Sequence, residues 1–228
     1  MDEVREQRWG AVSGFAALVL GGVAVGFERS VPDPDRTPAE VLDFYLRNGS
    51  ELLAQSLLFV LSSGLFLWFL GGLRTFLARI EGRPARMASI AYAAGIAWIV
   101  LNLAVQAPQI ALARAADTGL QPQLAVVVND IGLALATIAD VPVAVLVTAV
   151  AVLSLRDKVL PTWLGWLSAL VAVAHLAGWA GIVTAGGPLS PGGWATFVIY
   201  PVFVVWLIGI TTVMFTHARE PVRQGGVS

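Results

Sequence analysis

Six long runs of apolar residues constrain the fold of this 228-residue chain more than any other feature. A helix needs roughly 20 mostly apolar residues to cross the hydrocarbon layer of a membrane, because each residue advances it by about 1.5 Å. Every run meets that length. The runs lie at about 9–27, 52–73, 87–113, 123–154, 163–184 and 194–216. The sequence therefore predicts an all-α fold, a polytopic transmembrane bundle of six helices that forms a single domain over residues 1–228.

The charge composition supports a membrane protein and narrows its chemistry. Charged residues make up 13% of the chain, against about 25% in an average soluble domain. The formal net charge of -1 gives no indication of a nucleic-acid partner. The absence of cysteine excludes disulfides, thiolate metal sites, iron–sulfur clusters and cysteine nucleophiles. The thirteen arginines against one lysine are typical of a GC-rich bacterial genome and favour a bacterial plasma membrane.

The basic residues predict the orientation of the helices. Arg and Lys accumulate in short loops on the cytoplasmic side of a membrane. If the N-terminus is cytoplasmic, the cytoplasmic segments hold ten of the fourteen basic residues. Those ten are Arg5, Arg8, Arg74, Arg79, Arg83, Arg86, Arg156, Lys158, Arg219 and Arg223. The remaining four are Arg29, Arg36, Arg47 and Arg114. This bias predicts that both termini are cytoplasmic.

The first outer loop, 28–50, is the longest connection between the apolar runs, and it contains a helix-start signal. Thr37 is followed by Pro38 and Glu40, which suits an N-cap, a first helical position and a capping box. Asn48-Gly49 has the composition of a helix stop. The pattern predicts a short amphipathic helix from Thr37 to Arg47 outside the membrane. It either covers the outer surface of the bundle or simply fills the connection.

Polar residues inside the apolar runs mark the candidate site. Burying such a group in a membrane costs several kcal/mol unless it is paired, so each is a functional hypothesis by default. Counting from the ends of the runs places Asp140, His175 and Tyr200 roughly 9–14 Å below the outer boundary. The candidate intramembrane cluster is Asp140, His175, Asn102, Gln106, Asp130 and Tyr200. We expect Asp140 and His175 to point into the bundle and to meet, directly or through one water.

The fourth apolar run also carries a predicted polar stripe. At 100° per residue, Asp130, Thr137, Asp140 and Thr148 fall within about 80° of one another on a helix. Such a stripe would line a cavity that opens to the outside. The alternative is a structural one, in which Asp140 and His175 pair only to fix helix packing.

The first apolar run contains two pairs of glycines, and the chain lacks three common enzyme motifs. The first run contains Gly10-x-x-x-Gly14 and Gly22-x-x-x-Gly26, a spacing that lets helix backbones approach closely. Internal packing is the expected use, ahead of dimerisation. The chain contains no H-E-x-x-H, no Walker A loop and no G-x-S-x-G. We therefore predict no catalytic residues, no metal site and no cofactor, and we place an intramembrane enzyme third among the functions.

Several stretches taken together resemble a known group of proteins. They are Thr37-Pro-Ala-Glu-Val-Leu-Asp-Phe-Tyr45, Phe69-Leu-Gly-Gly-Leu-Arg74, Asp140-Val-Pro142, Leu160-Pro-Thr-Trp-Leu-Gly-Trp166 and Pro201-Val-Phe-Val-Val-Trp206. In this order and spacing they resemble small six-span bacterial integral membrane proteins of unknown function. The resemblance implies the topology and carries no activity.

Two functions remain open at this point. One is the binding or transport of a small molecule or proton through an outer-facing polar cavity. The other is a non-catalytic membrane subunit or scaffold that associates with other membrane proteins. The expected partners are membrane lipids and other membrane proteins, with no nucleic acid.

Overall fold

The computed structural model describes residues 2–27, 36–184, 187–190 and 193–217, and within these ranges it contains helices and no β-strand. The six α-helices are α1 Asp2–Gly26, α2 Pro38–Glu81, α3 Arg86–Ala115, α4 Pro122–Leu155, α5 Thr162–Ala180 and α6 Thr196–His217. Each holds a stretch long and apolar enough to cross a membrane. The predicted all-α bundle of six helices is confirmed, and the chain is a membrane-embedded protein.

The helices pack mainly in chain order. Each of α1 to α5 contacts the next helix along the chain, and α6 contacts both α5 and α1. Helix α4 also contacts α2, so it has three neighbouring helices and a large set of buried residues. The main apolar core lies between these helices and includes Phe69, Leu146 and Trp206, all fully buried. The arrangement places the middle of α4 at the centre of the molecule.

Helix α2 begins where the sequence predicts but does not end there. Both hydrogen bonds of the capping box between Thr37 and Glu40 are present. The helix passes through Asn48 and Gly49 without a break. Its whole length is 44 residues, which is about 66 Å at 1.5 Å per residue. The predicted helix over residues 37–47 is therefore confirmed, but it is the first part of α2 and not a separate short helix.

Local contacts explain why Asn48 and Gly49 do not stop the helix. The Asn48 side chain donates a hydrogen bond to the carbonyl oxygen of Phe44, one turn earlier, at 2.8 Å. A Cβ atom on Gly49 would lie 3.1 Å from the carbonyl oxygen of Ala113. Gly49 thus serves as a close contact between α2 and α3, and the packing gained there offsets the low helix propensity of glycine.

A second, smaller core forms where the start of α2 meets the end of α3 and the start of α4. Val41, Tyr45, Leu52, Leu112 and Ala125 are all buried in it. The apolar face predicted for this segment is real, but it packs against two neighbouring helices. It does not lie free on a membrane surface.

The two glycine pairs of α1 have different surroundings. A Cβ atom on Gly10 would lie 2.9 Å from the Cα atom of Gly72, and one on Gly14 would lie 2.6 Å from the Phe69 ring. Gly22 and Gly26 have no heavy atom within 4 Å of such a Cβ atom. Internal packing against α2 is confirmed for the first pair and does not apply to the second.

The loop between α2 and α3 is fixed by one carboxylate. The two carboxylate oxygens of Glu81 accept hydrogen bonds from the backbone N–H groups of Met87 and Ala88, each at 2.9 Å. This caps the first turn of α3, whose N–H groups have no partner inside the helix. The cap sets the position of the arginines in this loop.

Candidate functional site: a buried aspartate–histidine pair

Asp140 of α4 and His175 of α5 form a direct buried pair. The Nδ1 atom of His175 lies 2.6 Å from the Oδ1 atom of Asp140. The imidazole is fully buried, and Asp140 keeps only 8% of its surface exposed. The predicted meeting of these two side chains is confirmed in its direct form. Adjacent antiparallel helices joined by a short loop bring the two residues to the same depth.

Gly178 provides the space for the carboxylate. It lies one turn after His175 on α5, and a Cβ atom there would be 2.8 Å from Asp140 Oδ2 and 3.0 Å from Ile199 Cδ1. A real Cβ atom does not approach an oxygen this closely without something moving. Glycine at this position therefore allows the carboxylate to lie between α4 and α5. Gly178 could not be singled out from the sequence, because only the interhelical distance reveals its role.

Aromatic rings of α6 form the wall beside the histidine. The centroids of the Tyr200 and Phe203 rings lie 6.0 and 5.8 Å from that of His175, with both rings at nearly right angles to it. Phe203 stacks on Trp206 at 5.5 Å, and the Trp206 indole N–H donates to Ser168 Oγ at 2.8 Å. Tyr200 therefore belongs to the site, as expected. Phe203 was missed, although its position three residues after Tyr200 puts it on the same helix face.

The second ring nitrogen of His175 is the unusual feature of the site. Nε2 is buried and has no hydrogen-bond partner among the residues that the structure describes. Because Nδ1 faces a carboxylate, Nδ1 carries the ring proton in the neutral histidine and Nε2 presents a lone pair. Leaving a buried acceptor unpaired costs about 1–3 kcal/mol. A pair that served packing alone would gain from satisfying this atom.

Asn102 and Gln106 do not join the pair. The Asn102 side chain donates to the Trp98 carbonyl oxygen at 3.1 Å, and the Gln106 side chain donates to the Asn102 carbonyl oxygen at 3.4 Å. Both bonds stay within α3. The expected six-residue cluster is thus reduced to Asp140, His175 and Tyr200.

Asp130 also lies apart, and the predicted stripe on α4 does not form. Asp130 and Thr148 are exposed, whereas Thr137 is buried and donates to the Leu133 carbonyl oxygen at 2.9 Å. The reason is that the neighbours of α4 change along its length. At its N-terminal end α4 faces the start of α2, and this turns Asn129 inward in place of Asp130.

A second polar cluster ties the first part of α2 to the end of α3 and the start of α4. The Tyr45 hydroxyl donates to Asn129 Oδ1 at 2.9 Å. The Gln109 amide nitrogen lies 3.1 Å from Gln55 Oε1 and 2.9 Å from Ser56 Oγ. Gln55 and Asn129 stand out in the sequence as polar residues within apolar runs. Their partners could not be predicted, because the long extension of α2 was not foreseen.

Comparisons with known proteins supply no further assignment. Family models, curated proteins and solved structures show no match to this chain. Among the described residues, no three His, Asp or Glu side chains are grouped as a metal ion would require. The fold and the site together define a six-helix membrane protein with a buried aspartate–histidine pair.

Proposed function

We propose that this protein binds and transfers a proton at the Asp140–His175 pair, as a multi-pass protein of the bacterial plasma membrane with both termini in the cytoplasm. The observation that carries the proposal is the buried Nε2 atom of His175, which has no hydrogen-bond partner in the described part of the chain. With Nδ1–H donating to the Asp140 carboxylate, the pair has a net charge of -1 in an apolar surrounding. An unbalanced buried charge is costly. Uptake of one proton at Nε2 gives an imidazolium that balances the carboxylate.

Aromatic side chains of α6 border the pair. The rings of Tyr200 and Phe203 lie within 6.0 Å of the imidazole. A ring that turns its face to the imidazolium would attract it through the ring quadrupole. Asp140 retains some exposure while His175 has none. Because the carboxylate contacts Nδ1, which already carries a proton, a proton that arrives at Nε2 must approach from the other side of the ring.

The tight packing favours a proton over a larger ligand. Gly178 leaves too little room between α4 and α5 for even one added methyl group. A small molecule would have to separate these helices to reach His175, whereas a proton would not. The expected outer-facing polar cavity also loses support, because Asn102 bonds within its own helix and Asp130 lies apart.

Infrared difference spectroscopy between two pH values tests the proposal on the full-length protein in liposomes. We expect an imidazole protonation signal in the difference between the two pH values. The His175→Gln variant should lose the His175 part of this signal and keep only that of His217, the other histidine of the chain, and Asp140→Asn should shift the His175 part. The matched control Asp130→Asn, at an exposed carboxylate on the same helix, should leave the signal unchanged.

A proton-flux measurement with a pH-sensitive dye inside the same liposomes separates transfer from binding. Wild-type protein should raise the flux, and Asp140→Asn should return it to that of empty liposomes. If His175→Gln keeps the full infrared signal of the wild type, and if His175→Gln and Asp140→Asn only lower the thermal stability, the pair is structural. The scaffold function would then take its place.

A further inference from the structure

An apolar groove runs along the surface of α4, on the side where α3 and α5 leave it uncovered. Its volume is about 240 Å³. Six residues of α4 form its floor: Val141, Ala144, Val145, Thr148, Ala149 and Val152. Met87 and Ile90 of α3 form one wall, and Leu176 of α5 closes the far end. Thr148 is the one polar residue in the lining, so the groove suits a hydrocarbon chain.

The length of the groove fits one leaflet of a membrane. Val141 and Val152 are eleven residues apart on α4, which is about 16 Å along the helix. This is about half of the 30 Å hydrocarbon thickness. Val145, Ile90 and Leu176 are 42%, 42% and 46% exposed, so the groove opens sideways, where acyl chains lie.

Two arginines stand at one end of the groove, one on each helix. Arg86 precedes Ile90 by four residues on α3, and Arg156 follows Val152 by four on α4, so each shares a helix face with a lining residue. Both side chains are exposed, and neither forms an ion pair within the described part of the chain. The nearby Glu81 carboxylate is used by the backbone of α3.

We propose that this groove is a binding site for an anionic phospholipid. One acyl chain lies along α4 between Met87 and Leu176, and the phosphate contacts Arg86 and Arg156. Guanidinium groups bind phosphate well because their planar donors match its oxygens. The apolar lining selects a lipid over a soluble phosphate. The proposal is independent of proton transfer at Asp140 and His175.

Native mass spectrometry of the delipidated full-length protein tests the site. Phosphatidylglycerol and phosphatidylcholine with the same acyl chains are titrated separately. We expect the wild type to bind one phosphatidylglycerol more tightly than phosphatidylcholine. The double variant Arg86→Gln with Arg156→Gln should bind phosphatidylglycerol roughly 25-fold more weakly than the wild type, which is about fivefold for each charge removed. Arg114→Gln, at an exposed arginine in the last turn of α3, should have no effect.

A second pair of variants tests the groove itself. Val145→Trp should fill it and lower the binding of both lipids. Val204→Trp, at a valine of α6 with 43% exposure, should lower neither. Equal binding of the two lipids by the wild type would overturn the proposal. A loss of phosphatidylglycerol binding in Arg114→Gln as large as in the double arginine variant would also overturn it. So would equal lipid binding by the Val145→Trp and Val204→Trp variants.

Discussion

At the scale of single residues, the site depends on a carboxylate and an imidazole that share one buried contact. Removing one partner of such a pair leaves the other without compensation, which usually costs more than the pair contributes. The pair also needs the absence of a side chain at Gly178, because the carboxylate occupies that space. Three positions on two helices therefore act as one unit.

Replacing Gly178 by Ala tests this unit. The added methyl group would lie 2.8 Å from Asp140 Oδ2 and 3.0 Å from Ile199 Cδ1, so α4 and α5 must separate or the carboxylate must turn. We expect a loss of about 1–3 kcal/mol in the free energy of unfolding, as is typical of overpacked positions. Thermal or denaturant unfolding in detergent would measure it.

Gly64→Ala is the matched control, since Gly64 is also helical and has no atom within 4 Å of an added Cβ. Alanine there should be neutral or stabilise the protein by up to about 1 kcal/mol, because it has the higher helix propensity. Equal losses in the two variants would show that Gly178 has no special role at the pair.

The residue scale also shows what could be predicted from the sequence. Asp140 and His175 are ionisable groups in apolar runs, and a short loop forces their helices to be neighbours, so their meeting was predictable. Asp130 and Asn129 are adjacent in sequence, and periodicity alone selected the wrong one. The choice depends on the first turns of α2, which bring Tyr45 against Asn129.

At the scale of elements, α2 shows how tertiary contacts override a local stop signal. Asn48-Gly49 is a good helix end by composition, yet both residues lie within a helix of 44 residues. The start of the same helix follows its local sequence closely, because a capping box satisfies backbone groups that no distant contact reaches. In α2 the start of the helix was thus more predictable than its end.

Thr37→Ala should fray the first turn of α2. The Thr37 hydroxyl accepts a hydrogen bond from the backbone N–H of Glu40 at 3.4 Å. Loss of an N-cap of this kind should speed amide exchange at Glu40 roughly fivefold, measured by hydrogen–deuterium exchange. Thr75→Ala is the control, because the Thr75 hydroxyl bonds to the Gly71 carbonyl oxygen within the same helix and caps nothing. Equal exchange at Glu40 in both variants would contradict the cap.

The same turn should respond to acid. Hydrogen bonds from the backbone and side chain of Thr37 hold the pKa of Glu40 below its ordinary value. A carboxyl with a lowered pKa in the folded state stabilises that state above its ordinary pKa and stops doing so as the pH falls through the lowered one. Fraying of the first turn should therefore increase in acid, and Glu40→Gln should remove this dependence.

The packing contact between α1 and α2 can also be tested by substitution. Gly10 and Gly72 meet backbone to backbone, so Gly10→Val should force α1 away from α2. We expect a loss of about 1–3 kcal/mol in the free energy of unfolding. Gly22→Val on the same helix meets no atom within 4 Å and should cost much less. If both substitutions cost the same, the loss would come from helix propensity and not from the contact.

At the scale of the whole molecule, six spans predict that the two termini lie on the same side of the membrane. The sequence predicted the number of helices and that Asp140 and His175 on consecutive helices meet, because a short connection leaves few alternatives. It did not predict that α6 contacts α1, a pairing of the two ends of the chain. That contact depends on the shapes of all six helices at once.

The orientation of the bundle is the last prediction, and the arginines motivate it. Ten of the fourteen basic residues fall on the side of the termini, and such residues stay in the cytoplasm during insertion. An enzyme reporter active only outside the cytoplasm should therefore be silent when fused after Ser228. The same reporter inserted after Gly119, in the connection between α3 and α4, should be active, since that connection lies at the opposite end of the helices. An active fusion at Ser228 with a silent one at Gly119 would reverse the orientation, and it would place Arg86 and Arg156 in the outer leaflet.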